Sequence, residues 1–287
     1  MADASEKLST TLPASRFYSS VDLAGKTVLV TGATAGIGEA IACRFAELDV
    51  RLVLVGRRAE RLESLKARLL PFYKQTVIAE EADRVICYPL DVTDKSGVEK
   101  LAETIGFVDV LVNNAGLALG TATADETPYE DTAQMFATNV LACAHLTQVF
   151  GSKMRKQQTG HLVFISSVAA KDYYEGGAVY CATKAAIRQY ADALRCDVVG
   201  TPLRVTTISP GLCETEFSQV RFKGDTGKAG TVYANILPLL PADIADNVVY
   251  ACTRPSHVQI SDLTAYCTNQ GHAKYVVSRC GDSLGAK

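Results

Sequence analysis

Tyr180 and Lys184 stand four residues apart in a segment whose composition favours a helix, AVYCATKAAIRQYADAL. Side chains at positions i and i+4 of a helix lie on the same face, one turn apart. An ammonium beside a phenol favours the phenolate, so it lowers the tyrosine pKa from about 10 toward neutral pH. Such a group can donate and accept a proton at a substrate oxygen. Because Tyr-x3-Lys pairs also occur by chance, the pair predicts acid–base chemistry only together with other groups.

A serine strengthens this prediction. Ser167 lies 13 residues before Tyr180 and directly follows Ser166, at the end of an apolar run, HLVFI, that reads as a buried strand. Open α/β sheets place their binding crevice at the carboxyl ends of their strands. A hydroxyl at that point can hydrogen-bond a substrate oxygen, although a lone serine is more often an ordinary loop residue.

A glycine-rich loop, TGATAGIG, occupies residues 31–38 between a predicted strand and a predicted helix. Glycines let the backbone turn tightly and approach a pyrophosphate, and the following helix presents its N–H groups and positive dipole end to that anion. A glycine-rich turn can also be no more than a turn. Its place between strand and helix favours dinucleotide binding.

Two arginines, Arg57 and Arg58, follow the second predicted strand, and no acid comes before Glu60. NAD-binding proteins usually place an acid here for the ribose 2′-hydroxyl, whereas a guanidinium can hold a 2′-phosphate through paired hydrogen bonds. The alternative is that both arginines are solvated charges at the start of a helix. The pattern favours NADP(H) as the cofactor, with Arg57 the better candidate of the two.

The elements that position these groups alternate along the chain. Strands are predicted at residues 26–31, 51–55, 84–90, 108–112, 161–165, 203–208 and 263–267. Helices are predicted at residues 37–48, 58–70, 129–156 (with a possible interruption) and 178–199, after Thr93–Asp94 and from Pro241. Strands alternating with long helices indicate parallel βαβ units. The fold class is therefore predicted as α/β, a Rossmann-like doubly wound parallel sheet flanked by helices.

No linker-like stretch divides the periodic region, so residues 25–287 are predicted to form one catalytic domain. Residues 1–24 are rich in serine and threonine and are predicted to be a flexible extension. Residues 210–238 lack clear periodicity, and such a long stretch in a compact domain is often a lid over an active site. This stretch is called the lid segment below.

Composition excludes several classes of function. The net charge of −2 gives no general attraction to nucleic acid or an anionic membrane, and no apolar run approaches bilayer length. The four histidines lack ligand spacing, so no metal is expected. Nine cysteines without a CxxC pair fit a reducing compartment, and the cytoplasm is predicted. The alternative is mitochondrial, because RFYSS at residues 16–20 resembles a processing site, although Asp3 and Glu6 argue against import.

Jointly, the motifs resemble those of the short-chain dehydrogenase/reductase family. The following occur in family order and at family distances: TGATAGIG, the NNAG of Asn113–Gly116, Asn139 in TNV, Ser167, Tyr180-x3-Lys184 and Pro210-Gly211. The resemblance extends from about Leu23 to Cys280. It implies a sheet of about seven strands and a reaction in which hydride moves between nicotinamide and a carbonyl or alcohol carbon.

The resemblance also assigns catalytic roles. Tyr180 would exchange a proton with the substrate oxygen, and Ser167, selected over Ser166 by its 13-residue spacing from the tyrosine, would polarise that oxygen. Lys184 would hold the nicotinamide ribose and lower the tyrosine pKa. Asn139 would position a water that continues the proton path.

Cofactor contacts follow from the glycine loop, the arginines and the resemblance. Asp91 would meet the adenine, Asn114 would line the cleft, and the Leu212 backbone and Thr215 hydroxyl would meet the nicotinamide amide. The full expected set is Gly32, Thr34, Gly36, Ile37, Gly38, Arg57, Arg58, Asp91, Val92, Asn114, Ala115, Gly116, Tyr180, Lys184, Pro210, Gly211, Leu212 and Thr215.

A narrower resemblance concerns the substrate. The chain is similar to NADP-dependent 3-hydroxy acid dehydrogenases in GRR (56–58), NAGLALG (114–120), GLCETEFSQVRFKGDTGKA (211–229) and TNQ (268–270). This similarity implies interconversion of a 3-hydroxy acid, of the serine, allo-threonine or 3-hydroxyisobutyrate type, with its 3-oxo acid or semialdehyde. It also implies a homo-oligomer, commonly a tetramer.

Arg221, in the lid segment, independently supplies a cation for a substrate carboxylate, alongside Ser167 and Tyr180 as substrate-binding groups. The competing interpretation is a surface ion pair between Arg221 and Glu214, Glu216 or Asp225. Two further functions stay open: a broad carbonyl reductase for neutral aldehydes and ketones, and an NADPH-binding regulator without turnover. A methyltransferase is disfavoured, because that class needs an acid where Arg57–Arg58 stands.

Overall fold

The computed structural model describes residues 20–73, 84–233 and 236–277 of the chain. Within these residues seven strands form one parallel sheet in the order β3-β2-β1-β4-β5-β6-β7. The strands are β1 (Thr27–Thr31), β2 (Arg51–Gly56), β3 (Val85–Pro89), β4 (Val110–Asn113), β5 (His161–Ile165), β6 (Arg204–Pro210) and β7 (Asp262–Ala265). This arrangement confirms the predicted doubly wound fold.

Helices cover both faces of the sheet. They are α1 (Gly36–Ala46), α2 (Ala59–Leu69), α3 (Lys95–Ile105), α4 (Tyr129–Phe136), α5 (Ala142–Gln157), α6 (Ala178–Asp197), α7 (Phe217–Arg221), α8 (Thr226–Thr231) and α9 (Pro241–Cys252). A π-helical turn, Ala137–Leu141, joins α4 to α5, and turns of 3₁₀ helix span Leu70–Phe72 and Val168–Ala170.

The central strands are buried along their length and mostly apolar because both of their faces are covered. Val28 and Val30 of β1 point to one layer of the core, which α1, α2 and α9 complete. Leu29 points to the other layer, which α3, α5 and α6 complete. The side chains of β1 and β5 are accordingly all buried. Parallel strands of this kind give continuous apolar runs in the sequence, which is why they were predictable.

The direction of the chain across the sheet reverses at β1, which pairs with β2 on one side and β4 on the other. In doubly wound sheets the crevice at the carboxyl ends of these central strands is the usual ligand site. The loop after β1 carries the glycines, and the loop after β4 begins at Asn114. The fold therefore brings two of the predicted motifs to one edge.

Several local predictions can be compared with the structure. Asp94 caps α3 by accepting the N–H of Gly97, as predicted. The packed region begins before the expected boundary at residue 24: Leu23 is buried, and the Val21 N–H donates to the Thr253 carbonyl at 2.8 Å. The processing-site motif lies outside the described residues except for Ser20.

The described part of the chain also bears on the predictions from composition. No helix there is long and apolar enough to cross a membrane. Over the same residues, no group of three or more His, Cys, Asp or Glu side chains could hold a metal ion. The eight cysteines that the structure describes are all free thiols.

Candidate active site

A cleft of about 430 Å³ opens at the carboxyl ends of the central strands. Almost every predicted site residue lines it: Gly32, Thr34, Gly36, Ile37, Arg57, Arg58, Asp91, Val92, Asn114, Ala115, Gly116, Ser167, Tyr180, Lys184, Pro210, Gly211, Leu212, Thr215 and Arg221. Gly38 and Asn139 do not line it, but each contacts a residue that does, Gly32 and Leu117 respectively. The structure thus brings the predicted cofactor and catalytic groups into one cavity.

The glycine loop has the shape that a pyrophosphate requires. Gly32 and Gly36 adopt positive φ angles of +67° and +57°, which side chains rarely tolerate. A Cβ added to Gly38 would lie 2.3 Å from the Gly32 carbonyl oxygen, so Gly38 lets α1 pack directly onto the loop. The exposed backbone and the start of α1 can therefore receive a diphosphate without side-chain obstruction.

Asn114 and Thr31 tie the two central loops together. The Thr31 hydroxyl accepts the N–H groups of Asn114 and Ala115, both at 3.0 Å. The Asn114 amide donates to the carbonyls of Thr31 and Gly32, at 2.8 and 3.3 Å. These bonds fix the glycine loop against the loop that follows β4.

The two arginines that follow β2 differ in how many contacts their side chains make. Arg57 has 68% of its side chain exposed, and its guanidinium lies 3.9 Å from Asp91. Arg58 donates to the Thr34 hydroxyl at 2.8 Å and forms a 3.0 Å ion pair with Glu216. Glu216, which sequence reasoning did not place here, also pairs with Arg61 at 2.6 Å. Arg57 is thus the freer cation, and together with the glycine loop it fits a phosphorylated ribose.

Tyr180 sits at the inner end of the cleft with only 9% of its surface exposed. The guanidinium carbon of Arg221 lies 4.9 Å from the centre of its ring, and the Phe217 ring lies 5.5 Å away. Burial raises the pKa of the Tyr180 phenol above its ordinary value, and the Arg221 charge is the strongest opposing influence.

Lys184 is buried below the tyrosine, as the helical spacing predicts. Its ammonium donates to the Ile165 carbonyl at 2.9 Å and lies 5.8 Å from the centre of the Tyr180 ring. Burial lowers the pKa of Lys184 to about 8. Because Arg221 is the principal cation acting on the phenol, the expected effect of Lys184 on the tyrosine pKa stays a prediction.

The two adjacent serines have different environments. The Ser166 side chain is buried and donates to the Lys184 main-chain carbonyl at 3.2 Å. The Ser167 hydroxyl accepts the Ala169 N–H at 3.1 Å, and it also lowers the pKa of the nearby Tyr180 phenol. Of the two serines, Ser167 is therefore the one that acts on the Tyr180 phenol, and its expected role at a substrate oxygen stays a prediction.

Asn139 lies within the π-helical turn, and both the nitrogen and the oxygen of its side-chain amide form hydrogen bonds. It donates to the Leu117 carbonyl at 2.8 Å and to the Thr183 hydroxyl at 3.0 Å, and it accepts the Leu117 N–H at 2.8 Å. The amide therefore holds the loop after β4 against α6. Its expected role in positioning a water stays a prediction.

Gln270 orders the other wall of the cleft. Its side-chain oxygen accepts the Leu212 N–H at 2.8 Å, and a Cβ on Gly211 would lie 2.3 Å from that oxygen. The Leu212 carbonyl accepts the Leu239 N–H. The Thr215 hydroxyl accepts the Phe217 N–H at 3.2 Å. The expected contacts of Leu212 and Thr215 with nicotinamide stay predictions.

A family profile for short chain dehydrogenase matches residues 26–226. This chain belongs to the short-chain dehydrogenase family. It is 42% identical over 257 residues to an NADP-dependent 3-hydroxy acid dehydrogenase of Salmonella typhi, an alignment that covers 88% of this chain and 99% of the relative. A serine 3-dehydrogenase of Agrobacterium fabrum is 40% identical over 257 residues, with 88% and 98% covered.

The fold agrees with solved structures. The closed form of a serine dehydrogenase complexed with NADP+ matches with a TM-score of 0.80 and 40% identity, over 88% of this chain and all of that one. A serine dehydrogenase from Escherichia coli matches with a TM-score of 0.71 and 34% identity, over 86% of this chain and 100% of that one. The predicted family membership and fold are confirmed.

In this short-chain dehydrogenase, Arg221 faces the cleft and not the surface. Its guanidinium donates to the Tyr174 hydroxyl at 2.5 Å, and its buried Nε has no hydrogen-bond partner. Within residues 20–73, 84–233 and 236–277, no carboxylate forms an ion pair with it; Glu216 and Asp225 pair with other cations. The alternative of a surface ion pair is therefore wrong, because the fold turns the side chain inward over Tyr180.

The lid segment lies along the cleft and contains α7 and α8, two short helices that were not predicted. The Gly120 N–H donates to the Arg221 carbonyl at 2.8 Å, and Lys223 pairs with Asp131 at 2.8 Å. Its residues 234–235 lie outside the described part of the chain. Opening and closing of this segment stay predictions.

Sequence reasoning missed several residues of the site. Tyr174, Glu216 and Lys274 line the cleft, yet none of them was assigned a place there from the sequence. Gln270 was noted only as part of the TNQ motif. Contacts between distant parts of the chain place these residues in the cleft, so no local spacing in the sequence identifies them.

Proposed function

We propose that this protein interconverts a 3-hydroxy acid, of the serine, allo-threonine or 3-hydroxyisobutyrate type, with its 3-oxo acid or semialdehyde. Tyr180 serves as general acid and base. The observation that supports an acid-bearing substrate is the Arg221 guanidinium, which lies 4.9 Å from the centre of the Tyr180 ring and has no carboxylate partner among the described residues.

The chain is an NADP-dependent oxidoreductase: two relatives of 38% and 42% identity over most of its length are NADP-dependent 3-hydroxy acid dehydrogenases, and a similar structure holds NADP+. The glycine loop and Arg57 fit this cofactor. When bound, the nicotinamide would supply hydride transfer to or from the substrate carbon.

Tyr180 and Ser167 would act on the reacting oxygen. During alcohol oxidation the Tyr180 phenolate takes the hydroxyl proton as the C–H bond breaks, and during reduction the phenol returns that proton to the carbonyl oxygen. Ser167, at the end of β5, donates a hydrogen bond to the same oxygen and stabilises its developing negative charge. The burial of Tyr180 keeps bulk water away from this exchange.

Lys184 and Asn139 would support the tyrosine from below. The Lys184 ammonium, held by the Ile165 carbonyl, favours the phenolate by its charge and can donate to the nicotinamide ribose. The Asn139 amide holds Leu117 beside α6 and so maintains the distance between the loop after β4 and the catalytic helix.

Removal of the Arg221 charge tests the acid-bearing substrate. The matched pair is 3-hydroxyisobutyrate and 2-methylpropane-1,3-diol, which share the reacting CH₂OH group and differ in the carboxylate. In Arg221→Ala the ratio of kcat/KM for the acid to kcat/KM for the diol should fall by about 100-fold, the size of a lost bidentate charge-assisted contact. Lys223→Ala removes a lid cation outside the cleft and serves as the control. Equal losses on both substrates would favour a reductase for neutral carbonyls.

We also propose that the protein is a cytoplasmic homotetramer. The free thiols of the described cysteines support a reducing compartment, and the narrower sequence resemblance supports the assembly. Light scattering coupled to size-exclusion chromatography tests the tetramer, for which the expected mass is four chains of 30.7 kDa. Cell fractionation tests the location.

A further inference from the structure

Lys274 reaches the catalytic cleft from the segment that follows β7. Its ammonium lies 5.2 Å from the centre of the Tyr174 ring. The guanidinium carbon of Arg221 lies 5.5 Å from the centre of the same ring, and both cations line the one cleft. Two positive charges from distant parts of the chain therefore converge on one aromatic side chain next to Tyr180.

Neither charge is neutralised by the protein. In the described ranges Lys274 has no ion pair, and Glu175, an exposed acid at the cleft, pairs with neither cation. The buried Arg221 Nε lacks a hydrogen-bond partner. Partial burial and the Arg221 charge both lower the pKa of Lys274. Two cations that lack an acidic partner and lie against the same ring raise the positive potential at this end of the cleft, which favours the binding of an anion there.

The backbone just before Lys274 is held by the chain around it. The Asp172 carboxylate accepts the N–H of the preceding residue, Ala273, at 2.9 Å, and the Tyr266 hydroxyl at 2.9 Å. Asp172 lies two residues after the 3₁₀ turn that follows Ser167, so it ties the lysine-bearing segment to the catalytic wall. A site held in this way is available before the ligand arrives.

We propose that Lys274, Arg221 and the Tyr174 hydroxyl form one carboxylate subsite, in which Lys274 is a second specificity-determining cation. That the carboxylate belongs to the substrate rests on the function proposed above. In a 3-hydroxy acid one carbon separates the carboxyl carbon from the carbon that bears the hydroxyl. The carboxylate therefore has to bind beside Tyr180, where these groups stand.

The test compares Lys274→Ala and Lys274→Arg with the wild-type enzyme on the same matched pair. In Lys274→Ala the ratio of kcat/KM for 3-hydroxyisobutyrate to kcat/KM for 2-methylpropane-1,3-diol should fall by about 10-fold or more, the loss expected for one charge-assisted hydrogen bond. Lys274→Arg keeps the charge and should retain most of that ratio. Lys228→Ala, an exposed cation paired with Asp225, is the control. An unchanged ratio in Lys274→Ala would overturn the subsite.

A binding measurement separates this proposal from the function on which it rests. Isobutyrate carries the carboxylate but no hydroxyl, so its affinity for the NADP+-bound enzyme, measured by calorimetry, needs no turnover. Weakening of isobutyrate binding by about 10-fold in Lys274→Ala supports the subsite even if 3-hydroxyisobutyrate proves not to be oxidised. Binding that is absent from the wild type, or equal in both proteins, refutes it even if the acid is a good substrate.

Discussion

At the scale of single residues, Tyr180 shows how burial and charge compete at one titratable group. Burial raises the pKa of the phenol, whereas the Arg221 guanidinium and the Ser167 hydroxyl lower it. Sequence spacing predicted that the Lys184 ammonium would lower this pKa. The Arg221 guanidinium comes from a segment without a motif that would indicate how close it lies to the tyrosine. Its effect on the tyrosine pKa could therefore not be predicted from the sequence.

Replacement of Tyr180 by phenylalanine tests the proton role. Phe keeps the ring under Arg221 but has no proton to give, so kcat should fall by about 10³-fold, within the range for loss of a general acid or base. NADPH affinity, followed by fluorescence titration, should change by less than about threefold because the ring shape is kept. Tyr129→Phe, at a position that is 79% exposed, is the control. Substantial turnover in Tyr180→Phe would require another proton donor.

Arg57 carries the prediction about the cofactor phosphate. With Arg57→Ala the preference for NADPH over NADH, taken as the ratio of kcat/KM values, should fall by about 10-fold or more, because a charge-assisted contact to the 2′-phosphate is lost. Activity with NADH should be little affected. Arg61→Ala is the matched control, since Arg61 pairs with Glu216 and does not line the cleft. An unaltered preference for NADPH over NADH would indicate that Arg58, and not Arg57, contacts the 2′-phosphate.

At the scale of elements, the glycine loop depends on the close approach of α1. In Gly38→Ala the new methyl group would meet the Gly32 carbonyl oxygen at 2.3 Å, and the helix has to move away. Overpacking of this kind costs about 1–3 kcal/mol, so we expect a lower Tm and NADPH binding weakened by about 10-fold or more. Gly151→Ala, inside α5 with ordinary contacts from 3.6 Å, should leave NADPH binding intact. Normal affinity in Gly38→Ala would show that the loop can relax.

The strands and long helices were predictable because their burial leaves a pattern in the sequence. The π-helical turn at Ala137–Leu141 was not predictable, because its composition continues that of the helices on either side. Only the hydrogen bonds of the Asn139 side chain distinguish it. The helices α7 and α8, with 5 and 6 residues, are too short to show periodicity. Their contacts with the cleft come from tertiary packing.

Short-range spacing makes one part of the site predictable, and long-range contacts make the other part unpredictable. The catalytic groups and the glycine loop lie in short motifs at strand ends, so their spacing and the fold class together place them. Glu216 pairs with Arg58, which is 158 positions away in the chain. Lys274 stands beside Arg221, which is 53 positions away. No periodic pattern carries information over such separations.

At the scale of the whole molecule, the distribution of charge matters more than its sum. The chain carries a net charge of −2, yet among the described residues the cleft is lined by five cations against three acids (Asp91, Glu175 and Glu216); the cations are Arg57, Arg58, Lys184, Arg221 and Lys274. One end of the cleft thus suits the phosphates of the cofactor, and the other end suits an anionic substrate. This division predicts selectivity for acids over neutral alcohols of the same shape.

The most direct test is therefore the initial rate of NADP+ reduction by the wild-type enzyme with 3-hydroxyisobutyrate and with 2-methylpropane-1,3-diol, measured side by side. The acid should have a kcat/KM at least about 10-fold higher than that of the diol, because only the acid engages the unpaired cations beside Tyr180. A diol that is oxidised as efficiently as the acid would contradict the account.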